Sequence, residues 1–139
     1  MKPAATPLLP GATLGVLGGG QLGRMFVHAA QSMGYYTAVL DPDPHSPAGR
    51  VSHHHIQTAY DDREGLARLV QLCDAVTTEF ENVPAQVLEA LAQRRRVAPA
   101  AAAVAVAQDR AAEKAHFVRC GGPCAPHARI ASAQDRAAP

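Results

Sequence analysis

The stretch TLGVLGGGQLGRM at residues 13–25 decides the fold. A short apolar run ends in three glycines, and residues 24–33 then have the pattern of a helix. Gly18, Gly20 and Gly23 fit the spacing G-x-G-x-x-G, in which glycines allow a sharp turn, close approach of a ligand and tight packing of helix on strand. Because the first N–H groups of a helix favour an anion, the stretch predicts a site for a phosphate-bearing ligand.

The glycine pattern leaves three interpretations open. One is a nicotinamide or flavin dinucleotide on a Rossmann unit, and another is a ribose phosphate held in the same geometry. The third is a glycine turn that only permits close packing. Asp41 stands 21 residues after Gly20, at the end of the second predicted strand. A carboxylate there can hold ribose hydroxyls, which supports both ligand interpretations.

Composition limits the classes of protein. The chain has 139 residues, enough for one domain with a proper core, and is 47% hydrophobic but only 4% aromatic. A formal net charge of +1 gives no reason to expect nucleic acid or an acidic membrane surface as a partner. No apolar run approaches the roughly 20 residues of a membrane span, and residues 1–10 lack the apolar region of a secretory signal. We therefore expect a cytoplasmic protein.

Strand-like apolar runs alternate with helical patterns along most of the chain. Strands are predicted at 14–17, 35–40, 55–58, 75–78 and 97–98, and helices at 24–33, from Asp61 or Asp62 to Cys73, and from Pro84 onward. This alternation predicts a parallel α/β sheet with helices on both faces. A further helix is predicted over 107–118, with a stop at Gly121-Gly122-Pro123, and a strand is predicted to begin at 129–131.

Two carboxylates follow the fourth predicted strand. Glu79 and Glu81 lie at its carboxyl end, the edge where open α/β sheets bind ligands. Residues two apart on a strand face the same side, so both can bind an amine or ribose hydroxyls, or transfer a proton. The other interpretation is a solvated turn before the helix that begins at Pro84. The residues alone do not separate the two.

The cysteines and histidines favour structural interpretations. Three cysteines do not make a disulfide framework, and Cys73 lies in an apolar helical pattern. Cys120 and Cys124 form a weak C-x3-C pattern that is better explained as two reduced loop thiols than as a metal site. His53–His55 do not converge easily on one ion, because adjacent strand residues point to opposite faces. No metal site is therefore predicted.

Arg110 has two interpretations. It stands one helical turn before Lys114, with Asp109 and Glu113 beside them, which is typical of a solvated helix face with ion pairs. A guanidinium is also suited to a nucleotide phosphate. The residue pattern alone favours the solvated face.

A set of short motifs occurs in one order along the chain: GGGQLGRM at 18–25, LDPD at 40–43, SPAG at 46–49, EFENVP at 79–84 and AQDR at 107–110, followed by Glu113-Lys114. Together they resemble the 5-(carboxyamino)imidazole ribonucleotide synthase family of the ATP-grasp superfamily, over residues 10 to about 132. The resemblance implies ATP-dependent carboxylation of aminoimidazole ribonucleotide with bicarbonate in purine synthesis. Carboxyphosphate is the implied intermediate, and Mg2+ neutralises the phosphates.

The resemblance implies roles for particular residues. The ribonucleotide pocket would be lined by Gly20, Gln21, Leu22, Asp41, Glu79 and Glu81. Asp41 would hold the ribose hydroxyls. Arg110 would contact the nucleotide, which replaces the solvated-face interpretation. The first domain of the family is Rossmann-like and holds part of the ribonucleotide site, with no dinucleotide.

The resemblance also predicts the domain organisation. Residues 10–99 would form a Rossmann-like pre-ATP-grasp domain, and residues 100–139 a linker helix with the beginning of an ATP-grasp domain. Members of the family are more than twice as long, and their adenine pocket and acidic Mg2+ ligands have no counterpart here. We therefore expect no complete catalytic site and no turnover by the isolated chain. Two alternatives are a small NAD-binding module and a non-catalytic subunit that complements an ATP-grasp fragment. The family also suggests a homodimer.

Overall fold

Five parallel strands form one sheet in the computed structural model, which describes residues 6–130 and 132. The strands are β1 (Thr13–Leu17), β2 (Tyr36–Leu40), β3 (His54–Ile56), β4 (Ala75–Thr78) and β5 (Arg96–Val97). Their order across the sheet is β3-β2-β1-β4-β5, and every neighbouring pair is parallel. The predicted parallel α/β fold is therefore confirmed, with β1 at the centre of the sheet.

Within the described residues, five helices connect or follow these strands. They are α1 (Gln21–Ser32), α2 (Arg63–Leu72), α3 (Ala85–Ala92), α4 (Ala101–Gln108) and α5 (Arg110–Arg119). The Asp62 carboxylate caps α2 by accepting from the Gly65 N–H at 2.7 Å, as the sequence predicts. Gly34 follows α1 with φ +84°, the left-handed conformation that commonly ends a helix at glycine.

The core of the described part of the chain consists of two apolar clusters on opposite faces of the sheet. Val16 and Leu17 are neighbours on β1 and point to opposite faces. Val16 packs with Val27 of α1 in the smaller cluster, and Leu17 packs with Leu69 of α2 and Leu88 of α3 in the larger one. Helices therefore cover both faces, as predicted. Cys73 belongs to the larger cluster, where burial raises the pKa of its thiol to about 12.

Several predicted boundaries differ from the structure. The third strand ends at Ile56 instead of residue 58, because Ile56 pairs with Leu40, the last residue of β2. The helix predicted over 107–118 is two helices, because Asp109 takes an extended conformation between them. The first helix begins at Gln21 and not at residue 24.

The predicted start of a strand at residues 129–131 is not seen at Arg129 and Ile130, which lie outside any strand, and Ala131 lies outside the described residues. Within the part of the chain that the structure describes, no helix has the length and apolar character needed to cross a bilayer.

Candidate functional site

The register of the sheet brings three chain segments together at its carboxyl edge. Leu17, the last residue of β1, pairs with Leu40 of β2 and with Thr78 of β4. The residues that come next, Gly18, Asp41 and Glu79, therefore leave the sheet side by side. This is the edge at which open α/β sheets bind ligands, and the glycine loop, Asp41 and Glu79 lie together there.

Glu79 occupies the amino end of α1. The Gly20 N–H donates to Glu79 Oε1 at 2.8 Å, and the Gly23 N–H donates to Glu79 Oε2 in a short contact. These groups belong to the first turn of α1, where N–H groups have no partner within the helix. A carboxylate is stabilised there by the helix dipole. In this structure the protein's own side chain takes the anion position that the glycine motif predicts.

The three motif glycines make room for that carboxylate. A Cβ atom built on Gly20 would lie 2.7 Å from Glu79 Oε1. One built on Gly23 would lie 2.6 Å from the Gly18 carbonyl oxygen and 2.7 Å from Glu79 Oε2. Gly18, with φ +108°, would collide with Glu79 Cγ. The spacing of the glycines thus fits the Glu79 side chain and the turn that it closes.

Asp41 is buried, with 8% of its surface exposed, and its carboxylate is hydrogen-bonded on both oxygens. Oδ2 accepts from the Gly19 N–H at 2.7 Å and from the Tyr60 hydroxyl at 2.7 Å. Oδ1 accepts from the Asp43 N–H at 2.9 Å. A buried carboxylate needs such donors, and here they tie the glycine loop to β2. Contact of Asp41 with ribose hydroxyls stays a prediction.

Sequence reasoning gave Tyr60 no role at the site. Burial first, and then the hydrogen bond to Asp41, raise the pKa of Tyr60 above the ordinary value for tyrosine, so its hydroxyl stays protonated and donates. The ring packs edge-on against Phe80, with centroids 5.6 Å apart. Tyr60 therefore links the chain after β2 to the chain after β4. The available signal was its position two residues before Asp62, which caps α2, in a chain with three tyrosines.

The structure separates the two glutamates. β4 ends at Thr78, and the chain bends and turns through residues 79–82, so the strand alternation that placed Glu79 and Glu81 on one side is wrong. Glu79 reaches the glycine loop, whereas Glu81 is exposed and its carbonyl oxygen accepts from Gln108 Nε2 at 2.7 Å. Both residues still line a cavity of about 300 Å³ between the end of β4 and α4.

The remaining predicted residues are exposed. Gln21 and Leu22 begin α1, and Leu22 is 63% exposed. Arg110 begins α5, where its guanidinium pairs with the Glu113 carboxylate in solvent. Their contacts with ligands stay predictions.

The histidines and cysteines are dispersed. His53 Nδ1 accepts from the Thr37 N–H at 3.1 Å, whereas His55 Nε2 lies 3.2 Å from the Asp41 carbonyl oxygen. Cys120, the residue after α5, has its Sγ 3.6 Å from Nε2 of His116, and both residues are exposed. Over the described residues, no three His, Cys, Asp or Glu side chains are grouped so as to hold a metal ion.

A parallel sheet with a glycine loop and carboxylates at its carboxyl edge defines a Rossmann-like α/β domain. The model of the ribonucleotide synthetase preATP-grasp domain family matches residues 11–108, and the chain belongs to this family. The chain is similar to N5-carboxyaminoimidazole ribonucleotide synthase of Brucella melitensis, with 45% identity over 87% of this chain and 33% of the relative. The enzyme of that name from Staphylococcus aureus strain MRSA252 is 42% identical over 90% of this chain and 33% of the relative.

Solved structures give the same result. The Staphylococcus aureus N5-carboxyaminoimidazole synthetase complexed with ADP superposes with a TM-score of 0.77 and 44% identity, over 82% of this chain and 31% of that chain. The Aspergillus clavatus synthase in complex with ADP and 5-aminoimidazole ribonucleotide superposes with a TM-score of 0.76 and 36% identity. The match covers 86% of this chain and 32% of that chain. The resemblance seen in the sequence is confirmed. The chain spans about a third of the length of the relatives it matches.

Proposed function

We propose that this chain supplies the glycine-loop side of the ribonucleotide site in an ATP-dependent carbon–nitrogen ligase. In the proposed reaction ATP phosphorylates bicarbonate to carboxyphosphate. The amine of 5-aminoimidazole ribonucleotide then takes the carboxyl group, and ADP and phosphate leave. The observation that carries the proposal is the similarity, over 86% of this chain, to the Aspergillus clavatus synthase solved with ADP and 5-aminoimidazole ribonucleotide. The proposal includes a cytoplasmic location.

The proposed pocket is lined by Gly20, Gln21, Leu22, Asp41, Glu79 and Glu81. Gln21, Leu22 and Glu81 have exposed side chains that are available to a ligand. The carboxylates of Asp41 and Glu79 accept hydrogen bonds from N–H groups of the glycine loop. They therefore fix the backbone that presents Gln21 and Leu22. Geometry held in this way orients a substrate before the reaction.

The nucleotide side of the proposal rests on Arg110. Its guanidinium is 74% exposed and pairs only with Glu113 among the described residues, so it can exchange that carboxylate for a nucleotide phosphate. Mg2+ accompanies ATP in phosphoryl transfer. The described residues include no cluster suited to a metal ion, so we assign no Mg2+ ligand to them. An ATP-grasp domain, in the same polypeptide or in a complementing subunit, would complete the site, and the family suggests a homodimer.

A dinucleotide-binding module is not favoured. The N–H groups of Gly20 and Gly23, which would receive a pyrophosphate, are already bonded to Glu79.

A chimeric enzyme tests the proposal. Residues 6–130 of this chain would replace the corresponding third of the Staphylococcus aureus synthase, and ADP release would be measured with and without each substrate. We expect ADP release that requires both bicarbonate and 5-aminoimidazole ribonucleotide. Glu81→Ala should raise KM for the ribonucleotide, whereas Glu89→Ala, an exposed glutamate on α3, should leave KM unchanged. A folded chimera without ribonucleotide-dependent ADP release would contradict the proposal.

A further inference from the structure

We propose that Glu79 is a specificity-determining residue that closes the anion position of the glycine loop to external phosphates. This goes beyond the proposed ligase function, because it concerns which ligands the glycine loop does not bind. It also reassigns Glu79 from a substrate contact to a residue that acts on ligand choice through the loop.

The first step of the argument is competition for the same donors. A phosphate at the amino end of α1 needs the N–H groups of the first turn. The N–H groups of Gly20 and Gly23 both donate to Glu79, one to each carboxylate oxygen. An incoming phosphate therefore has to displace a bidentate carboxylate before it can use either of these two donors.

The second step is the position of the Glu79 backbone. The Glu79 N–H donates to the Leu17 carbonyl oxygen at 3.1 Å, which continues the pairing of β4 with β1. The Thr78 hydroxyl lies 3.3 Å from the same oxygen and 2.9 Å from the Phe80 carbonyl oxygen, which also ties the end of β4 in place. The Glu79 side chain therefore starts from a fixed point beside the loop. It fills the space over three glycines, since a Cβ on Gly18, Gly20 or Gly23 would collide with it.

The third step is charge. Over residues 6–130, Glu79 makes no ion pair, so its negative charge is balanced by backbone N–H groups and the helix dipole. A phosphate beside it would meet a like charge at close range in a partly buried site. If the phosphate displaces the Glu79 carboxylate, the carboxylate loses its two hydrogen-bond donors. If the two anions stay side by side, they repel each other. Both outcomes disfavour a dinucleotide on a loop whose glycine spacing otherwise fits one.

Pyrophosphate titration of the 139-residue chain, followed by the backbone amide signals of Gly20 and Gly23 in ¹H–¹⁵N NMR spectra, tests the proposal. We expect no saturable shift of these signals in the wild type. Glu79→Ala should bind pyrophosphate about tenfold more tightly or better, with the shifts at Gly20 and Gly23. Glu79→Gln keeps the volume and removes the charge, and should bind more tightly than the wild type but less tightly than Glu79→Ala. NADH serves as a second probe.

The matched control is Glu89→Ala, which removes an exposed glutamate on α3 and should leave the pyrophosphate titration as in the wild type. Saturable wild-type shifts at Gly20 and Gly23 with the affinity of Glu79→Ala would overturn the proposal. A folded Glu79→Gln without any gain in affinity would overturn it as well. If Glu79→Ala does not fold, the comparison of the wild type with Glu79→Gln decides.

Discussion

Tyr60 supplies a side-chain hydrogen-bond donor to the buried Asp41 carboxylate. Its hydroxyl donates to Asp41 Oδ2 at 2.7 Å, and Tyr60→Phe removes that donor while keeping the ring against Phe80. A hydrogen bond to a charged group contributes about 2 kcal/mol, so we expect a loss of about 2 kcal/mol in the free energy of unfolding at pH 7. Urea unfolding followed by circular dichroism measures it.

The control is Tyr36→Phe, because Tyr36 is 52% exposed and its hydroxyl bonds to no described residue; the change should stay within about 0.5 kcal/mol. The pH dependence has a definite sign. Since the pKa of Tyr60 is raised, its contribution is present below the ordinary value of 10.0 and is lost only as the pH rises beyond it. Equal stabilities of Tyr60→Phe and Tyr36→Phe would show that Asp41 does not depend on this donor.

At the scale of elements, Asp109 divides one helical pattern into α4 and α5. Its carboxylate accepts from the Ala111 and Ala112 N–H groups, both at 2.8 Å, and these bonds lower the pKa of Asp109. Because α5 buries none of its residues, its first turn depends on this cap. We expect Asp109→Ala to speed hydrogen exchange at Ala111 and Ala112, whereas Asp109→Asn, which keeps an acceptor oxygen, should retain most protection.

The same cap has a predictable pH response. A lowered pKa means that the stabilisation is present above the ordinary value of 3.8 and is lost as the pH falls through the lower value in the folded chain. Local stability at Ala111, derived from exchange rates corrected for their intrinsic pH dependence, should therefore hold at pH 4 and fall at more acidic pH. A loss of local stability centred above pH 4 would contradict a lowered pKa.

The sequence predicts the strands and helices, but it does not predict the side-chain contacts between them. Alternating apolar runs such as 14–17 and 75–78 predict the sheet, because a strand covered on both faces leaves a signature in its own residues. The Glu79 contact with Gly23 depends on the register of β4 against β1, which no local pattern encodes. The break between α4 and α5 at Asp109 is not predicted for a related reason. The sequence of a helical run does not show whether an aspartate within it caps a new helix or faces solvent.

At the scale of the whole molecule, the structure makes the predicted boundary at residue 99 testable. α4 places Val104 in the larger cluster, where it is 5% exposed, and Gln108 Nε2 donates to the carbonyl oxygens of Glu81 and Val83, both at 2.7 Å. Burying a valine contributes about 1.5–3 kcal/mol and each hydrogen bond about 1 kcal/mol. Without α4, the domain should therefore lose about 3–5 kcal/mol.

Two shortened chains measure this boundary. Residues 1–108 keep every described core residue, and the only described helix that they lack is α5, which buries none of its own residues. Urea unfolding should therefore give a free energy within about 1 kcal/mol of the full chain. Residues 1–99 lack Val104 and Gln108 and should be less stable by about 3–5 kcal/mol, a large share of the roughly 5–15 kcal/mol that holds a small domain together. That outcome makes α4 part of the Rossmann-like unit, in agreement with the family match over 11–108. Equal stability of the two shortened chains would instead favour the boundary at residue 99 and assign α4 to the segment that follows.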